Sequence, residues 1–425
     1  MLEHEIRARA LRIGLPDYVR TVLDIFENNG YEAFVVGGAV RDLLRGDDDI
    51  NDYDVATIAL PEETVELFAG FPVYKTGIKH GTVTVNIDGN MIEVTTYRTD
   101  GEYTDSRHPD KVTFTRSIAE DLARRDFAVN AIALSADGRL FDPFGGIADL
   151  SKRVIRAVGE PERRFSEDAL RIMRAFRFSA KLCYEIEENT LNATKKCAKG
   201  LERISRERIG IEWEKLLRSN RPASVLQKMK KCGIFDVIFP EIAHYLDDFE
   251  GIDRLSDSYH VRNAAVFRKA PQKELEKVRD CLCLSNSNFK MMGTVRAALE
   301  ELKGENCDDL RMIAFKYGAF ACEAAEIFAL DSDFDPRAVK TAYEMLPIRG
   351  RSDIAVGGNE LIGFGIADRS IISPIYSLLA KRIVLGKLEN EKDAIRSELP
   401  RIIAEIEADR ASDPANWRKA EKYLI

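Results

Sequence analysis

Residues 37–57 read GGAVRDLLRGDDDINDYDVAT and directly follow the apolar run AFVV at 33–36. An apolar run that glycines end is typical of a buried strand, and the residues after the glycines are predicted to form a helix. Glycines at such a junction let backbone N–H groups approach a phosphate, and the positive end of the helix dipole favours its charge. The order of strand, glycine pair, helix and second strand therefore predicts a phosphate-binding turn between a buried strand and a helix.

The second strand is predicted to begin at a pair of aspartates, Asp52 and Asp54. Alternate residues of a strand point to the same face, so the two Cα atoms would lie ~6–7 Å apart with both carboxylates on one side. Such a pair can share one or two Mg²⁺ ions whose coordination is completed by water and substrate phosphate. For a bare D-x-D, an acidic hairpin tip exposed to solvent is the alternative.

The aspartates at 47–49 are predicted to lie in a solvated loop. A calcium-binding loop that began at Asp47 would need glycine at its sixth position and glutamate at its twelfth. This sequence has Asp52 and Ile58 at those positions, so it does not fit such a loop.

Strand patterns dominate the first 150 residues and then fade. They recur in YDVATIAL, GTVTVNID, NMIEVTTYR and KVTFTR, and a tight turn at Gly89-Asn90 predicts a hairpin between the second and third of these. From about Lys152 onward the pattern is helical. We therefore predict an α+β head with a mixed sheet and helices, followed by an all-α remainder.

Composition limits the classes of function. The 425 residues are 45% apolar and carry a formal charge of −8, which argues against a uniformly basic nucleic-acid binder but not against a local basic face. The seven cysteines show no metal-like spacing, since Cys281 and Cys283 form a lone C-x-C. No uncharged run reaches the ~20 residues of a membrane span, and the charged N-terminus has no apolar core, so a cytoplasmic protein is predicted.

Two later blocks combine arginines with polar partners. In EDLARRDFAVNAIAL, Arg125 lies beside Asp126 and near Asn130, which together could clamp phosphate and meet sugar hydroxyls. An ordinary charge cluster on a helix surface is the alternative for RRD alone.

The second block, SEDALRIMRAFRF, spaces four charged residues by three along a predicted helix: Asp168, Arg171, Arg174 and Arg177. An Asp beside an Arg offers an acceptor and a fork of donors, which suits the Watson–Crick edge of cytosine or adenine. A salt-bridged amphipathic helix is the alternative for D-x-x-R alone.

Taken together, these blocks resemble the group of tRNA nucleotidyltransferases and bacterial poly(A) polymerases within the polymerase-beta-like nucleotidyltransferase superfamily. The resemblance implies Asp52 and Asp54 as ligands of catalytic Mg²⁺ in a two-metal site, and Gly37, Gly38 and Arg41 as phosphate contacts. It also implies that Arg125, Asp126 and Asn130 seat the ribose and triphosphate.

A third catalytic carboxylate is common in that superfamily. Glu93 is the candidate, because it is a charge inside the apolar strand NMIEVTTYR. The alternative is a glutamate on an edge strand that faces water.

The SEDALRIMRAFRF block resembles the class II, bacterial-type CCA-adding enzymes. That resemblance implies that Asp168 and Arg171 select CTP and then ATP, with Arg174 and Arg177 as further nucleotide contacts. It also implies four parts: a catalytic head at 1–151, a neck at 152–219, a body at 220–349 and a tail at 350–425. The helical parts are expected to grip the acceptor stem and elbow of tRNA, and no DNA or membrane partner is expected.

The same blocks leave the exact activity open. KTGIKHGTVTV at 75–85 resembles the tRNA enzymes rather than the poly(A) polymerases, and YRTDGEYTDSRHPDKVTF at 97–114 resembles a loop found in enzymes that incorporate A. Complete CCA addition and A-only addition are not separated by these blocks. A bacterial poly(A) polymerase and an inactive tRNA-binding paralogue also fit them.

Overall fold

An amphipathic helix, α1 (Asp17–Asn28), precedes the first strand, and its apolar face is buried. The structure, a computed structural model, describes residues 3, 5–6, 14–48, 50–100, 112–304, 309–414 and 417. Contacts divide the chain into two units, Met1–Phe249 with Asp280–Cys283, and Glu250–Arg279 with Leu284–Ile425. The division into head, neck, body and tail stays a prediction.

A mixed seven-stranded sheet organises the first unit. Its strands are β1 (Ala33–Val36), β2 (Asp54–Thr57), β3 (Val73–Tyr74), β4 (Thr82–Ile87), β5 (Asn90–Thr96), β8 (Ala133–Leu134) and β9 (Leu140–Phe141). They lie in the order β3-β4-β5-β2-β1-β8-β9. The centre of the sheet pairs β1 with β2 antiparallel and β2 with β5 parallel, which confirms the predicted mixed sheet. Two small sheets pair β6 (Arg98–Asp100) with β7 (Val112–Phe114), and β10 (Val154–Ile155) with β11 (Glu185–Ile186).

The predicted hairpin forms between β4 and β5, but its turn lies one residue earlier than predicted. Ile87 pairs with Asn90, so the two loop residues are Asp88 and Gly89. Their φ angles are 51° and 88°, the pair of positive values that a type I′ turn requires. Aspartate and glycine tolerate those angles, and Asn90 begins the next strand.

Helices flank the sheet and continue beyond it in the first unit. They are α2 (Gly38–Arg45), α3 (Pro61–Leu67), α4 (Ile118–Ala123), α5 (Gly146–Lys152), α6 (Pro161–Glu167), α7 (Leu170–Leu182), α8 (Glu188–Cys197), α9 (Arg206–Leu217), α10 (Pro222–Lys231) and α11 (Ile234–Ile238). Apolar residues of α7, such as Ile172, Met173 and Phe176, are buried.

The second unit is helical, as the sequence pattern predicts. Its helices are α12 (Tyr259–Val266), α13 (Leu275–Leu282, whose last three residues group with the first unit), α14 (Asn286–Lys303), α15 (Leu310–Tyr317), α16 (Ala319–Phe328), α17 (Arg337–Glu344), α18 (Gly358–Gly363), α19 (Ile372–Val384) and α20 (Lys392–Ser412). Buried arginines join several of them: Arg268 forms a bidentate pair with Asp331, and Arg296 donates to the carbonyl oxygens of Arg268 and Ala270 at 2.7 and 2.6 Å.

The cysteines and the hydropathy of the helices bear on the chain as a whole. The six cysteines among the described residues are all free thiols. No helix in the described ranges is both long and apolar enough to cross a membrane.

Candidate active site

The turn between β1 and α2 requires glycine at its first position. Gly37 has a φ of +80°, and a Cβ atom there would lie 2.9 Å from Arg125 Nη1 and 3.7 Å from Asp54 Oδ2. A side chain would therefore be strained and would displace the guanidinium. Because α2 begins at Gly38, the backbone at its N-terminus lies close to a cation and a carboxylate of the candidate site.

The paired aspartates lie where β2 begins. Asp54 is the first residue of the strand, whereas Asp52 precedes it and is exposed. Strand β2 was predicted to include both aspartates, but it begins at Asp54, so strand alternation does not by itself fix the direction of the Asp52 carboxylate.

Glu93 is the direct neighbour of Asp54 across the sheet. The two residues are partners in the parallel pairing of β2 with β5. Strand β5 lies between β4 and β2, so Glu93 is not on an edge strand, but its side chain is exposed, as that alternative predicted.

Asp54 is half-buried, and its pKa is raised to about 6, chiefly by burial. The negative charges of Asp52 and Glu93 also raise this pKa, and the Arg125 guanidinium lowers it. Carboxylates that repel one another in this way favour a bound cation. Within the parts of the chain that the structure describes, no three His, Cys, Asp or Glu side chains are arranged to hold a metal ion by themselves.

The other aspartates of the acidic stretch are exposed where the structure describes them. Asp47 Oδ2 lies 3.2 Å from Arg45 Nη1, and Asp48 faces solvent. Asp49 lies outside the described residues, as do residues 101–111 of the predicted loop.

A buried hydrogen-bond network joins the glycine turn to the RRDF block. Arg41 Nη1 donates to Asn130 Oδ1 at 2.6 Å, and Asn130 Nδ2 donates to Asp126 Oδ1 at 3.1 Å. The Arg41 guanidinium also forms two 2.7 Å hydrogen bonds to Asp42. Arg41 is therefore held firmly in place, with Asp42 as a partner that the sequence did not identify.

Asp126 connects this network to the arginines of α7. Its Oδ2 atom accepts a hydrogen bond from Arg174 Nε at 2.7 Å and lies 2.6 Å from Arg174 Nη2. Burial alone would raise the pKa of Asp126, but the charge of Arg174 and the hydrogen bonds from Asn130 and Arg174 outweigh burial and lower it. Asp126 is thus a buried anion held between two polar partners.

The SEDALRIMRAFRF block does not form one continuous helix. Helix α6 ends at Glu167 and α7 begins at Leu170, so Asp168 lies between them with extended backbone angles. The predicted row of four charges on one helix was therefore wrong for Asp168. The Asp168 Oδ1 atom accepts from the backbone N–H of Leu170, which satisfies a donor at the start of α7.

Arg171 of α7 connects its own helix to α6 through hydrogen bonds. Its Nη1 atom lies 2.9 Å from Glu167 Oε2 and 3.2 Å from the carbonyl oxygen of Arg164, and its Nη2 atom lies 3.2 Å from that of Arg124. Asp168 makes no such contact with Arg171, because its Oδ2 atom pairs with Arg208.

Arg174 and Arg177 share a buried carboxylate, Glu212 of α9. Arg177 Nε lies 2.5 Å and Arg174 Nη1 4.0 Å from its two oxygens. Both guanidinium groups also lie over the ring of Phe178, at 5.4 and 4.0 Å from its centroid for Arg174 and Arg177. The Glu212 carboxylate and the Phe178 ring together fix the orientation of both guanidinium groups.

These elements line one open cavity of about 460 Å³. Asp54 lines it, and so do all ten residues predicted to bind nucleotide: Gly37, Gly38, Arg41, Arg125, Asp126, Asn130, Asp168, Arg171, Arg174 and Arg177. Asp52 and Glu93 are not among its lining residues. Residues from four separate blocks of sequence therefore meet around one space, while the role of each stays a prediction.

Sequence reasoning missed four cavity residues and one supporting residue. The cavity is also lined by Leu170, Phe178, Lys181 and Arg208, and Glu212 lies behind it. Burial, together with the charge of Arg41, lowers the pKa of Lys181. Arg208 and Glu212 are four residues apart on α9, a spacing that could have indicated one charged face but is equally typical of a surface ion pair.

Three family models match successive parts of the chain. Residues 33–156 match the poly A polymerase head domain, and residues 183–246 match a segment described as "Probable RNA and SrmB- binding site of polymerase A". Residues 266–399 match tRNA nucleotidyltransferase domain 2.

Similar proteins extend over nearly the whole chain. The CCA-adding enzyme of Ligilactobacillus salivarius is 35% identical over 403 residues, 92% of this chain and 98% of the relative. That of Lactobacillus delbrueckii is 37% identical over 383 residues, 88% of this chain and 95% of the relative. The crystal structure of the Bacillus stearothermophilus CCA-adding enzyme in complex with CTP is similar with a TM-score of 0.77, at 31% identity, over 92% of this chain and 98% of that one.

Proposed function

The chain belongs to the family of CCA-adding enzymes, and from this membership we propose that it adds C, C and A to the 3′ end of tRNA, using CTP and ATP. It is thus a nucleotidyltransferase that works without a nucleic-acid template. The observation that carries the proposal is the single cavity in which a glycine turn, a partly buried aspartate and six arginines meet.

The arginines and the glycine turn would bind the triphosphate. Arg125 and the backbone at the start of α2 lie next to Asp54, so phosphate bound there would be adjacent to the carboxylates. Arg41, fixed by Asp42 and Asn130, would add a positive charge that does not need to reorganise when substrate arrives.

Asp52 and Asp54 would hold the divalent metal that nucleotidyltransferases of this family use. Two carboxylates, completed by water and substrate phosphate, are a donor set that suits Mg²⁺. When bound, two such ions would activate the attacking 3′-hydroxyl and neutralise the triphosphate. Glu93, paired in register with Asp54, would add negative charge beside the same site.

Asp168 and Arg171 would read the base of the incoming nucleotide. Both line the cavity, and their acceptor and donor groups suit cytosine and adenine. Arg174 and Arg177, held by Asp126 and Glu212, would contact the same nucleotide. In this arrangement Arg208 acts on Asp168 and is a positioning residue.

The partner of this chain would be tRNA, bound by the helical parts, and its place of action the cytoplasm, where tRNA and free CTP and ATP meet. A poly(A) polymerase is the second candidate, because the match over 33–156 is to a poly A polymerase head domain. The full-length relatives favour CCA addition.

One experiment separates the candidates. The purified protein and Mg²⁺ are given a tRNA transcript without its CCA end, with CTP alone, ATP alone or both, and the products are resolved at single-nucleotide length. We expect two added residues with CTP and a third only when ATP is also present. Extension only of a transcript that already ends in CC would indicate A-only addition, and long ATP-dependent tails on unrelated RNA would indicate a poly(A) polymerase. No product with any RNA would indicate an inactive paralogue.

A further inference from the structure

A cavity of about 320 Å³ in the second unit has charged lining residues of one sign only. Lys316 of α15 and two arginines of the loop after α17, Arg349 and Arg351, line it together with Tyr376 of α19. No aspartate or glutamate is among the lining residues that the structure describes. On a chain with a net charge of −8, such a local excess of cations indicates an anionic ligand.

The two arginines differ from three other arginines of the same unit. Arg311, Arg337 and Arg410 each pair with an aspartate. Among the described residues, neither Arg349 nor Arg351 forms an ion pair through its side chain. Their charges therefore remain available, whereas those of the other three are partly neutralised.

Aromatic rings hold the free guanidinium groups. That of Arg351 lies 3.8 Å from the centroid of the Tyr376 ring, and that of Arg349 lies 5.2 Å from the Tyr343 ring. The Tyr376 ring is itself fixed, because it is buried and its hydroxyl donates to the carbonyl oxygen of Val356 at 2.9 Å. A stacked guanidinium keeps its in-plane N–H donors available for a phosphate.

The loop that carries both arginines is built rigidly. Ile348 and Ile354 anchor its two ends in the core of the second unit. Asp353 Oδ2 accepts from the backbone N–H groups of Arg349 and Gly350 at 2.7 and 3.1 Å, and Asn390 Nδ2 donates to the carbonyl oxygen of Asp353. A ligand bound there would therefore cost little ordering entropy.

The charge of Lys316 is partly neutralised, because its Nζ atom lies 2.8 Å from Glu301 Oε2. The two arginines are therefore the main anion-binding groups of the cavity. Arginine forks match the tetrahedral oxygens of phosphate, and nearby aromatic rings are common in RNA-binding surfaces.

We propose that this cavity binds a phosphodiester group of the tRNA backbone, at a site separate from the nucleotide cavity of the first unit. The inference rests on the proposed function for the identity of the RNA. It assigns Arg349 and Arg351 to binding of tRNA and not to the nucleotidyl transfer itself.

The test measures the affinity of the full chain for a CCA-less tRNA transcript over a range of salt concentrations. We expect the double variant R349A/R351A to bind roughly tenfold more weakly at low salt and to have a slope of log Kobs against log salt that is less negative by about one per arginine. The variant R349K/R351K keeps the charges but not the planar stack, so it should keep most of the slope and lose part of the affinity. Arg337→Ala is the matched control, an exposed arginine of the same unit whose partner is Asp335.

The rate of CMP addition at saturating tRNA should be unchanged in the double variant. An unchanged affinity and an unchanged slope would overturn the proposal. Because binding is read without catalysis, a wild-type protein that binds tRNA but adds no nucleotide would contradict the proposed function and leave the binding test valid.

Discussion

Arg208 Nη2 lies 2.9 Å from Asp168 Oδ2, and this ion pair joins the start of α7 to α9 across forty residues of sequence. The other oxygen of Asp168 accepts from Leu170 N–H at 3.0 Å. Both carboxylate oxygens therefore have partners, and Arg208 determines which way the carboxylate faces in the nucleotide cavity.

We expect Arg208→Ala to reduce discrimination between CTP and ATP. Without Arg208 the Asp168 carboxylate can rotate, so its hydrogen bonds to a base lose direction, at a cost of ~1–2 kcal/mol, or about tenfold in discrimination. The measurement is the ratio of kcat/KM for CTP and ATP on a tRNA transcript that awaits its first C. Arg218→Ala, which removes an exposed arginine just after α9 that pairs with Glu214, is the control. Equal ratios in wild type and Arg208→Ala would contradict the positioning role.

The order of elements around the glycine turn could be predicted because it depends on local patterns. The apolar run before Gly37 and the alternation in TVTVNI each specify a strand without reference to the rest of the chain, and β1 and β4 lie there. The meeting of four sequence blocks around one cavity followed from a family resemblance, since spacing alone does not reveal which blocks meet.

What the sequence did not reveal depends on backbone details and on distant partners. The break between α6 and α7 places Asp168 outside both helices, although the charges repeat at a helical spacing. Glu212 could not be identified as the partner of Arg177, because a glutamate four residues from an arginine on one helix is usually solvated. Tertiary packing buries it instead, to 5% exposure.

We expect Asp52→Asn and Asp54→Asn each to reduce nucleotide incorporation by ~10³-fold or more while tRNA affinity stays the same. Each substitution removes a negative charge from the proposed metal site, where charge stabilisation amounts to several kcal/mol. Single-turnover incorporation of CMP and tRNA binding are measured side by side. Asp47→Asn changes an exposed aspartate of the same acidic stretch and should leave both unchanged. Near-normal turnover in either site variant would remove the metal assignment.

The buried anion Asp126 should make the first unit sensitive to acid. Its folded-state pKa lies below the unfolded value of about 3.9, so its contribution to stability is complete above that value and is lost as the pH falls through the folded pKa. Asp126→Asn should lower the free energy of unfolding at pH 7 and flatten its fall as the pH drops below about 4. Urea unfolding followed by fluorescence of Trp213, which lies buried in α9, would measure both. Asp48→Asn, at an exposed position, should keep the wild-type profile, and an equally steep fall in Asp126→Asn would show that other carboxyls cause it.

Gly37→Ala tests whether the glycine turn holds Arg125 in place. The added Cβ would lie 2.9 Å from Arg125 Nη1, so the guanidinium must move away from Asp54 and from any triphosphate at the start of α2. Gly30→Ala is a closely matched control, because Gly30 has the same φ of +80° but no atom within 4 Å of the added Cβ. Both variants should lose ~1–3 kcal/mol of stability through backbone strain, but only Gly37→Ala should raise the KM for CTP, by about tenfold. If Gly30→Ala raised the KM equally, strain alone would explain the effect, and Gly37 would have no separate role in binding the triphosphate.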